Sequence, residues 1–156
     1  MADKTKRELK AEEQTRLHIE QVRKLMNRLI QELIIRAEKH DKTKLEEPEV
    51  SIFNEFTEKL SGITYGSAEY KKCLEKMKPA LDHHYRHNRH HPENHIHGIE
   101  GMNLIDIFEM IADWKSATLR HDDGNIRKSI EINKERFGIS DQLVHILMNT
   151  VELFDE

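Results

Sequence analysis

One helical pattern runs without interruption from Thr15 to Lys39 and constrains the fold more than any other feature of the sequence. Apolar residues recur along it at spacings of three and four, which places them on one stripe of an α-helix. The members of this stripe are Val22, Leu25, Met26, Leu29, Ile30, Leu33, Ile34 and Ala37. No Gly or Pro interrupts the pattern. The sequence therefore predicts a long amphipathic helix, preceded by a polar leader over residues 1–14.

Helical patterns continue through the rest of the chain. The later predicted helices run from Pro48 to Leu60, from Ser67 to His84, from Asn103 to Leu119, from Ile126 to Glu135 and from Ser140 to Leu153. Pro79 is expected to kink the second of these or to begin a new helix. Only 6 Gly and 3 Pro occur in 156 residues, which disfavours a turn-rich β-sandwich. We therefore predict an all-α fold, with a single domain of five to seven helices over residues 15–156.

Charge and composition exclude several classes of protein. The 25 Lys and Arg against 29 Asp and Glu give a formal charge of -4, which argues against nucleic acid as the main partner. A single cysteine, Cys73, excludes an internal disulfide and a multi-cysteine zinc site, and it fits a reducing compartment. No apolar run approaches the roughly 20 residues that span a bilayer. We expect a cytoplasmic protein that does not enter a membrane.

The first group of residues that could carry chemistry is His40-Asp41, at the end of the long helix. An imidazole and a carboxylate side by side at a turn can both bind one divalent cation. Lys44 follows Asp41 by three residues and could face an anion drawn to that metal. The alternative is a charged helix terminus, where His and Lys interact favourably with the last carbonyl groups.

The second group lies in a stretch of unusual histidine density, because seven of the 11 histidines fall between His83 and His97. On a helix, His84, Asn88 and His91 would share one face that continues an apolar line. A buried imidazole has a donor and an acceptor to satisfy, and a metal ion would satisfy the acceptor. The alternative is a solvated tract that binds nickel only adventitiously.

The third group is a row of carboxylates, Asp106, Glu109 and Asp113, on one predicted helix. They share a stripe with Arg120. Such a row is often a solvated face. Its carboxylates would instead be metal ligands if they lay across a cleft from His40, Asp41 and His84. One carboxylate from the row would complete a mixed nitrogen and oxygen site suited to Mn, Fe, Co, Zn or Mg.

These three groups, in this order, resemble the HD phosphohydrolase superfamily, whose metal motif runs His…His-Asp…Asp on an all-helical fold. The segment His40-Asp41-Lys42-Thr43-Lys44 resembles its His-Asp-x-x-Lys motif. The segment Ala112-Asp113-Trp114-Lys115-Ser116-Ala117, followed by Arg120, resembles the Ala-Asp-x-x-x-Ala segment of HD-GYP-like members. The chain also resembles an uncharacterised phage and bacterial family over roughly residues 15 to 150.

The resemblance implies a phosphohydrolase that uses one or two divalent metal ions to activate water against a small phosphorylated substrate of the nucleotide class. The implied catalytic residues are Lys44, Asp41, Arg89 and Arg120. The implied metal ligands are His40, Asp41, His84, His91 and Asp113, with His90, Asp106, Glu109 and His18 as further candidates. With this resemblance we also expect a homodimer, located in the cytosol of a bacterium or of a phage-infected host.

The chain departs from the HD pattern at the first histidine, for which His18 is the only candidate before His40. In an unbroken helix these residues would lie about 33 Å apart, too far to share an ion. Either the helix breaks near Met26-Asn27, or a later histidine such as His84 takes that place. Two other functions stay open: a non-catalytic metal-containing protein that sequesters a nucleotide or a host protein, and a structural helical protein.

Overall fold

A computed structural model describes residues 11–61, 63, 67–120 and 124–154. The chain divides after Glu38 into two units. Within the described residues the structure consists of six α-helices and short 3₁₀ turns, without any strand. The predicted all-α fold is therefore confirmed. Among the same residues, no helix combines the length and the apolar composition needed to cross a membrane.

The first unit contains helix α1, Ala11–Lys39, which continues one residue into the second unit. The helix is unbroken at Met26-Asn27, as its regular apolar stripe predicts. The helix includes residues 11–14, so the end of the predicted leader lies within a helix that the sequence predicted only from Thr15. The remainder of that leader, residues 1–10, lies outside the described residues.

The second unit contains the other five helices. Their bounds are α2 Glu49–Ser61, α3 Ala68–His87, α4 Leu104–Thr118, α5 Ile126–Phe137 and α6 Asp141–Val151. Asn103 caps α4 by accepting from the backbone N–H of Ile105 and Asp106, as its residue type predicts. Pro79 lies inside α3, which continues through it, so Pro79 does not start a new helix. Met77 and Ala80, before and after Pro79 in the sequence, are both buried and pack this part of α3 into the fold.

The hydrophobic core of this unit is formed by α4, α5 and α6. Ile111, Ile130 and Leu147 are at most 1% exposed and belong to one cluster of buried side chains. Burial of each stabilises the fold by about 1.5–3 kcal/mol. The Trp114 ring stacks on Phe137 at the edge of this cluster, with centroids 6.3 Å apart. These contacts hold α4 in place, and α4 carries Glu109 and Asp113.

Helix α2 packs against α3 and against the 3₁₀ turn Lys42–Leu45. Phe56 of α2 and Met77 of α3 are both buried. The chain after α3 continues through a second short turn, Pro92–Asn94, which packs back on α3. The side-chain amide of Asn94 donates to the backbone carbonyls of Tyr85 and Arg86, which ties this turn to the end of the helix. The fold therefore brings the end of α3, the Lys42–Leu45 turn and α4 around one site.

Candidate metal centre

Asp41 occupies the middle of the site. Its backbone has φ 55° and ψ 14°, a left-handed conformation that Asp tolerates better than most residues. One carboxylate oxygen, Oδ1, lies 3.3 Å from Nε2 of His84 and 3.5 Å from Nε2 of His90. The other, Oδ2, accepts a 2.6 Å hydrogen bond from Nζ of Lys44 and lies 3.6 Å from Nε2 of His40. Both oxygens therefore face groups that could share a cation.

Three histidines from the end of α3 and the segment after it form the first ligand group with Asp41. They are His84, His90 and His91, and one donor atom from each of the four residues lies within 4.8 Å of the others. The Nε2 atoms of His84 and His91 are 2.8 Å apart. Two nitrogens bound at right angles to one ion at about 2.0–2.1 Å would have a similar separation. Three imidazoles and one carboxylate suit Zn, Fe, Co or Mn.

A second ligand group consists of His40, Asp41 and Asp113. Nε2 of His40 lies 3.5 Å from Oδ1 of Asp113, which is a residue of α4. Asp41 belongs to both groups and presents a different oxygen to each. A carboxylate placed in this way can bridge two ions.

Two carboxylates, of the buried Glu49 and the partly buried Glu109, accept hydrogen bonds from the histidine rings. Nδ1 of His84 lies 2.8 Å from Oε2 of Glu49. Nδ1 of His40 and of His90 lie 2.9 and 3.0 Å from the same oxygen, Oε1 of Glu109. An ionised carboxylate can only accept, so Nδ1 of each ring carries a proton, and in a neutral ring the lone pair is on Nε2. This is the arrangement by which proteins fix a metal-binding imidazole.

Sequence reasoning missed Glu49 and named Glu109 as a candidate ligand, and Glu109 does form a further group of possible ligands with His40 and His90. Glu49 is completely buried at the start of α2 and also accepts a 2.7 Å hydrogen bond from Nδ1 of His83. Its local sequence resembles that of any acidic residue in a first helical turn, where exposed carboxylates are common. The available signal was indirect: His84 continues a buried line and needs an acceptor for its ring N–H.

Two buried polar atoms at the centre lack hydrogen-bond partners among the described residues. They are Oδ1 of Asp41 and Nε2 of His90. Each buried group left in this state costs about 1–3 kcal/mol. A cation between them would satisfy both, so the residues present fit a divalent metal.

Burial sets the protonation of two of the histidines. It lowers the pKa of His84 below its ordinary value. It lowers the pKa of His91 to about 3, and the proximity of the His90 and His84 rings lowers that pKa further. Both imidazoles are therefore neutral at pH 7, as metal ligands must be.

The second ligand group differs in protonation. Hydrogen bonds to Asp113 and Glu109 raise the pKa of His40 to about 10. Burial raises the pKa of Asp41, but the Lys44 hydrogen bond and charge outweigh it and hold the pKa below the usual range. The pKa of Asp113 is likewise lowered, because the His40 hydrogen bond outweighs burial. At pH 7 this group is an imidazolium between two carboxylates, and a metal would displace one proton.

A cavity of about 670 Å³ opens onto both ligand groups. Besides the ligands, its polar lining consists of Lys42, Lys44, Ser116 and Arg120. Its apolar lining consists of Leu45, Phe53, Leu81 and Tyr85. The centre therefore faces a space that is lined by both cationic and apolar groups.

Two of the predicted site residues, Arg89 and Asp106, pair with each other. Arg89 forms a two-point ion pair with Asp106, at 2.8 and 3.1 Å. The same carboxylate accepts from the backbone N–H of Asn103 in a capping box. Asp106 is thus held in the first turn of α4 and is absent from the ligand groups found among the described residues. His18 is an exposed residue of α1 and is not a member of them either.

The fold and the site together define an all-α protein with a candidate divalent metal centre. A family model, DUF5662, described as a family of unknown function, matches residues 7–153. The chain therefore belongs to this family. Comparisons with curated proteins and with solved structures find no match.

Proposed function

We propose that this protein is a metal-dependent phosphohydrolase acting on a nucleotide or a related phosphate ester. One observation carries the proposal: the Nε2 atoms of His84, His90 and His91 converge on Asp41 at the edge of a cavity that also contains basic side chains. A divalent metal bound there would polarise the phosphate and activate water for attack on it. The order His40-Asp41…Asp113 supports a relationship to the HD superfamily.

The basic residues of the cavity have a defined task in this reaction. Phosphoryl transfer depends mainly on positioning and on neutralising the charge of the phosphate. Lys44 is next to Asp41, with Nζ 2.6 Å from its carboxylate, and Lys42 and Arg120 line the same space. We assign Lys44 to contact the substrate phosphate directly and Arg120 to contact it from the α4 side.

The apolar part of the cavity supports a substrate with an organic portion. Phe53 and Tyr85 offer aromatic surface beside the centre, and Tyr85 has its ring 4.9 Å from that of His91. The volume falls in the range of about 300–1,000 Å³ that small-molecule sites occupy. A nucleotide has both a phosphate that the basic lining residues would contact and a flat ring that the aromatic lining residues would contact.

We also propose that the protein is located in the cytosol of a bacterium or of a phage-infected cell. Nucleic acid is not its main partner in this proposal, and the protein forms a homodimer.

The test combines metal analysis with an activity screen. Full-length protein, purified without an affinity column, is loaded with Mn²⁺ or Co²⁺ and incubated with nucleotides and with an aryl phosphate. We expect release of phosphate that Asp41→Asn abolishes and that His145→Ala, an exposed histidine on α6, leaves unchanged. Inactivity with every metal, together with equal metal content in wild type and Asp41→Asn, would overturn the proposal.

A second candidate is a non-catalytic metal-containing binding protein. The first ligand group favours it, because three imidazoles and a carboxylate can fill all four positions of a tetrahedral ion. Structural zinc sites are closed in this way, whereas catalytic sites keep one position open. This candidate predicts that a bound nucleotide is recovered intact after long incubation, with the metal still present.

A further inference from the structure

A second pair of histidines lies outside the candidate metal centre. His83 and His87 are four residues apart in the last turn of α3, a spacing that puts both side chains on one face of the helix. Their rings stack with centroids 4.0 Å apart and an interplanar angle of 28°. His87 is exposed, and the His83 side chain is 29% exposed. Solvent and dissolved ions can therefore reach the pair.

Hydrogen bonds fix the tautomer of both rings. Nδ1 of His83 lies 2.7 Å from Oε1 of Glu49, and Nδ1 of His87 lies 2.8 Å from the backbone carbonyl oxygen of His83. A carbonyl oxygen can only accept, and so can an ionised carboxylate, so both Nδ1 atoms donate. The neutral rings then carry their lone pairs on Nε2. Each neutral ring therefore offers one Nε2 donor, and two histidines at i and i+4 on one helix face are a known pair of ligands for a single zinc ion.

We propose that His83 and His87 form a second, surface metal site that binds a divalent transition metal through their two Nε2 atoms. Imidazole ligands suit Zn²⁺, Cu²⁺ and Ni²⁺, whereas Mg²⁺ and Ca²⁺ prefer oxygen ligands. Water fills the remaining coordination positions, because the pair is at the surface. The site takes no residue from the centre around Asp41 and does not depend on the proposed reaction.

Glu49 connects this surface site to the centre. Its Oε1 accepts from His83 and its Oε2 from His84, and the carboxylate is completely buried between them. A cation on Nε2 of His83 makes the Nδ1 proton of that ring more acidic. The hydrogen bond from this Nδ1 to Oε1 of Glu49 then becomes stronger. Glu49 then accepts less strongly from His84, which makes His84 a weaker ligand. Regulation of activity through this coupling rests on the proposed function, whereas metal binding to His83 and His87 does not.

The test is to count the Zn²⁺ ions bound by the untagged full-length chain, using calorimetric titration and elemental analysis. We expect wild type to bind one ion more than His87→Ala, and His145→Ala to bind as many as wild type. His87→Ala leaves the His83–Glu49 hydrogen bond in place, and equal melting temperatures in chelator check that its fold is intact. Equal zinc stoichiometry and affinity in wild type and His87→Ala would overturn the site. If the Asp41 centre holds no metal, the difference of one ion remains, so the two proposals fail separately.

Nitrogen NMR of the histidine rings tests the coupling. In protein whose Asp41 centre is already loaded with metal, further Zn²⁺ should move the Nε2 resonances of His83 and His87 to metal-bound positions and shift Nδ1 of His84. In His87→Ala we expect the shift of His84 that accompanies surface binding to disappear. An unchanged response of His84 in His87→Ala would overturn the coupling.

Discussion

Nε2 of His90 lies 3.5 Å from Oδ1 of Asp41, and neither atom has a hydrogen-bond partner among the described residues. The ring of His90 donates from Nδ1 to Glu109, so the neutral ring presents a lone pair at Nε2. Two acceptor atoms then face each other in a buried place, where each disfavours the other. A cation between them turns this unfavourable contact into two ligand bonds.

The first prediction is that metal stabilises the folded protein. An ion that binds only the native state at 100 times its Kd adds about 2.7 kcal/mol to the free energy of unfolding. We therefore expect a chelator to lower the melting temperature of wild type by several degrees. Asp41→Asn should respond much less, because Asp41 contributes to both ligand groups. A melting temperature that the chelator does not change in wild type would contradict this.

The second prediction concerns Glu109, which accepts hydrogen bonds from both His40 and His90. In Glu109→Gln, the amide oxygen can still accept, but the charge that favours Nδ1 protonation of two rings is lost. Loss of such an outer partner typically weakens metal binding by about 10–100-fold. Competition with a fluorescent chelator measures this change. Glu131→Gln, on an exposed position of α5, is the matched control, and an affinity equal to that of the control would count against the role of Glu109.

The third prediction separates substrate binding from metal binding at Lys44. Removing a charged group that stabilises a transition state costs about a hundredfold or more in rate. We expect Lys44→Ala to lose activity on that scale while its metal content stays near that of wild type. Lys78→Ala is the control, because Lys78 forms a similar ion pair with Asp82 on an exposed face of α3. Loss of metal from Lys44→Ala would instead make the lysine part of the metal centre.

The helices could be predicted closely because their signals are local. The apolar stripe of α1 and the cap at Asn103 lie in short stretches of sequence, and the structure follows them within a few residues. Pro79 was harder, because a proline within a helix is tolerated only where packing on both sides holds the helix together. That packing comes from other elements of the fold and leaves no local signal.

The sequence could predict which candidate ligands lie close together, but not which carboxylates accept hydrogen bonds from their rings. His40, Asp41 and Asp113 are brought together as expected, and the motif order was enough to select them. The role of Glu49 depends on how α2 meets α3, which residue types and spacing do not encode. Asp106 could have been assigned from Asn103-x-x-Asp106, since this spacing is that of a capping box.

The fourth prediction is that Asp106 stabilises the fold without binding metal. Its carboxylate is completely buried and pairs with Arg89 and with the first turn of α4. Removing one member of a buried, hydrogen-bonded charge pair costs several kcal/mol, which the 48% exposure of Arg89 reduces. We expect Asp106→Ala to lose about 2–4 kcal/mol in denaturant unfolding with chelator present. Glu152→Ala, which removes an exposed partner of Arg127, should change stability by less than about 1 kcal/mol.

If Asp106 were a ligand, Asp106→Ala would also bind less metal per folded molecule. We expect unchanged metal stoichiometry in the folded fraction, measured below the unfolding transition. If fully folded Asp106→Ala bound one ion fewer than wild type, Asp106 would be a metal ligand and the prediction would be wrong.

The last prediction is that metal binding to the group of His40, Asp41 and Asp113 strengthens as pH rises. Hydrogen bonds to Asp113 and Glu109 raise the pKa of His40 to about 10, so between pH 6 and 8 this ring is protonated. A metal ion must displace that proton, so its affinity should increase by up to about tenfold per pH unit in this range. His84 and His91 have lowered pKa values and are already neutral, so the first group should not show this dependence. Calorimetry with Mn²⁺ in buffers of different ionisation enthalpy measures the released proton. We expect release of about one proton in wild type and none in His40→Ala, and a pH-independent wild-type affinity would exclude His40 as a ligand.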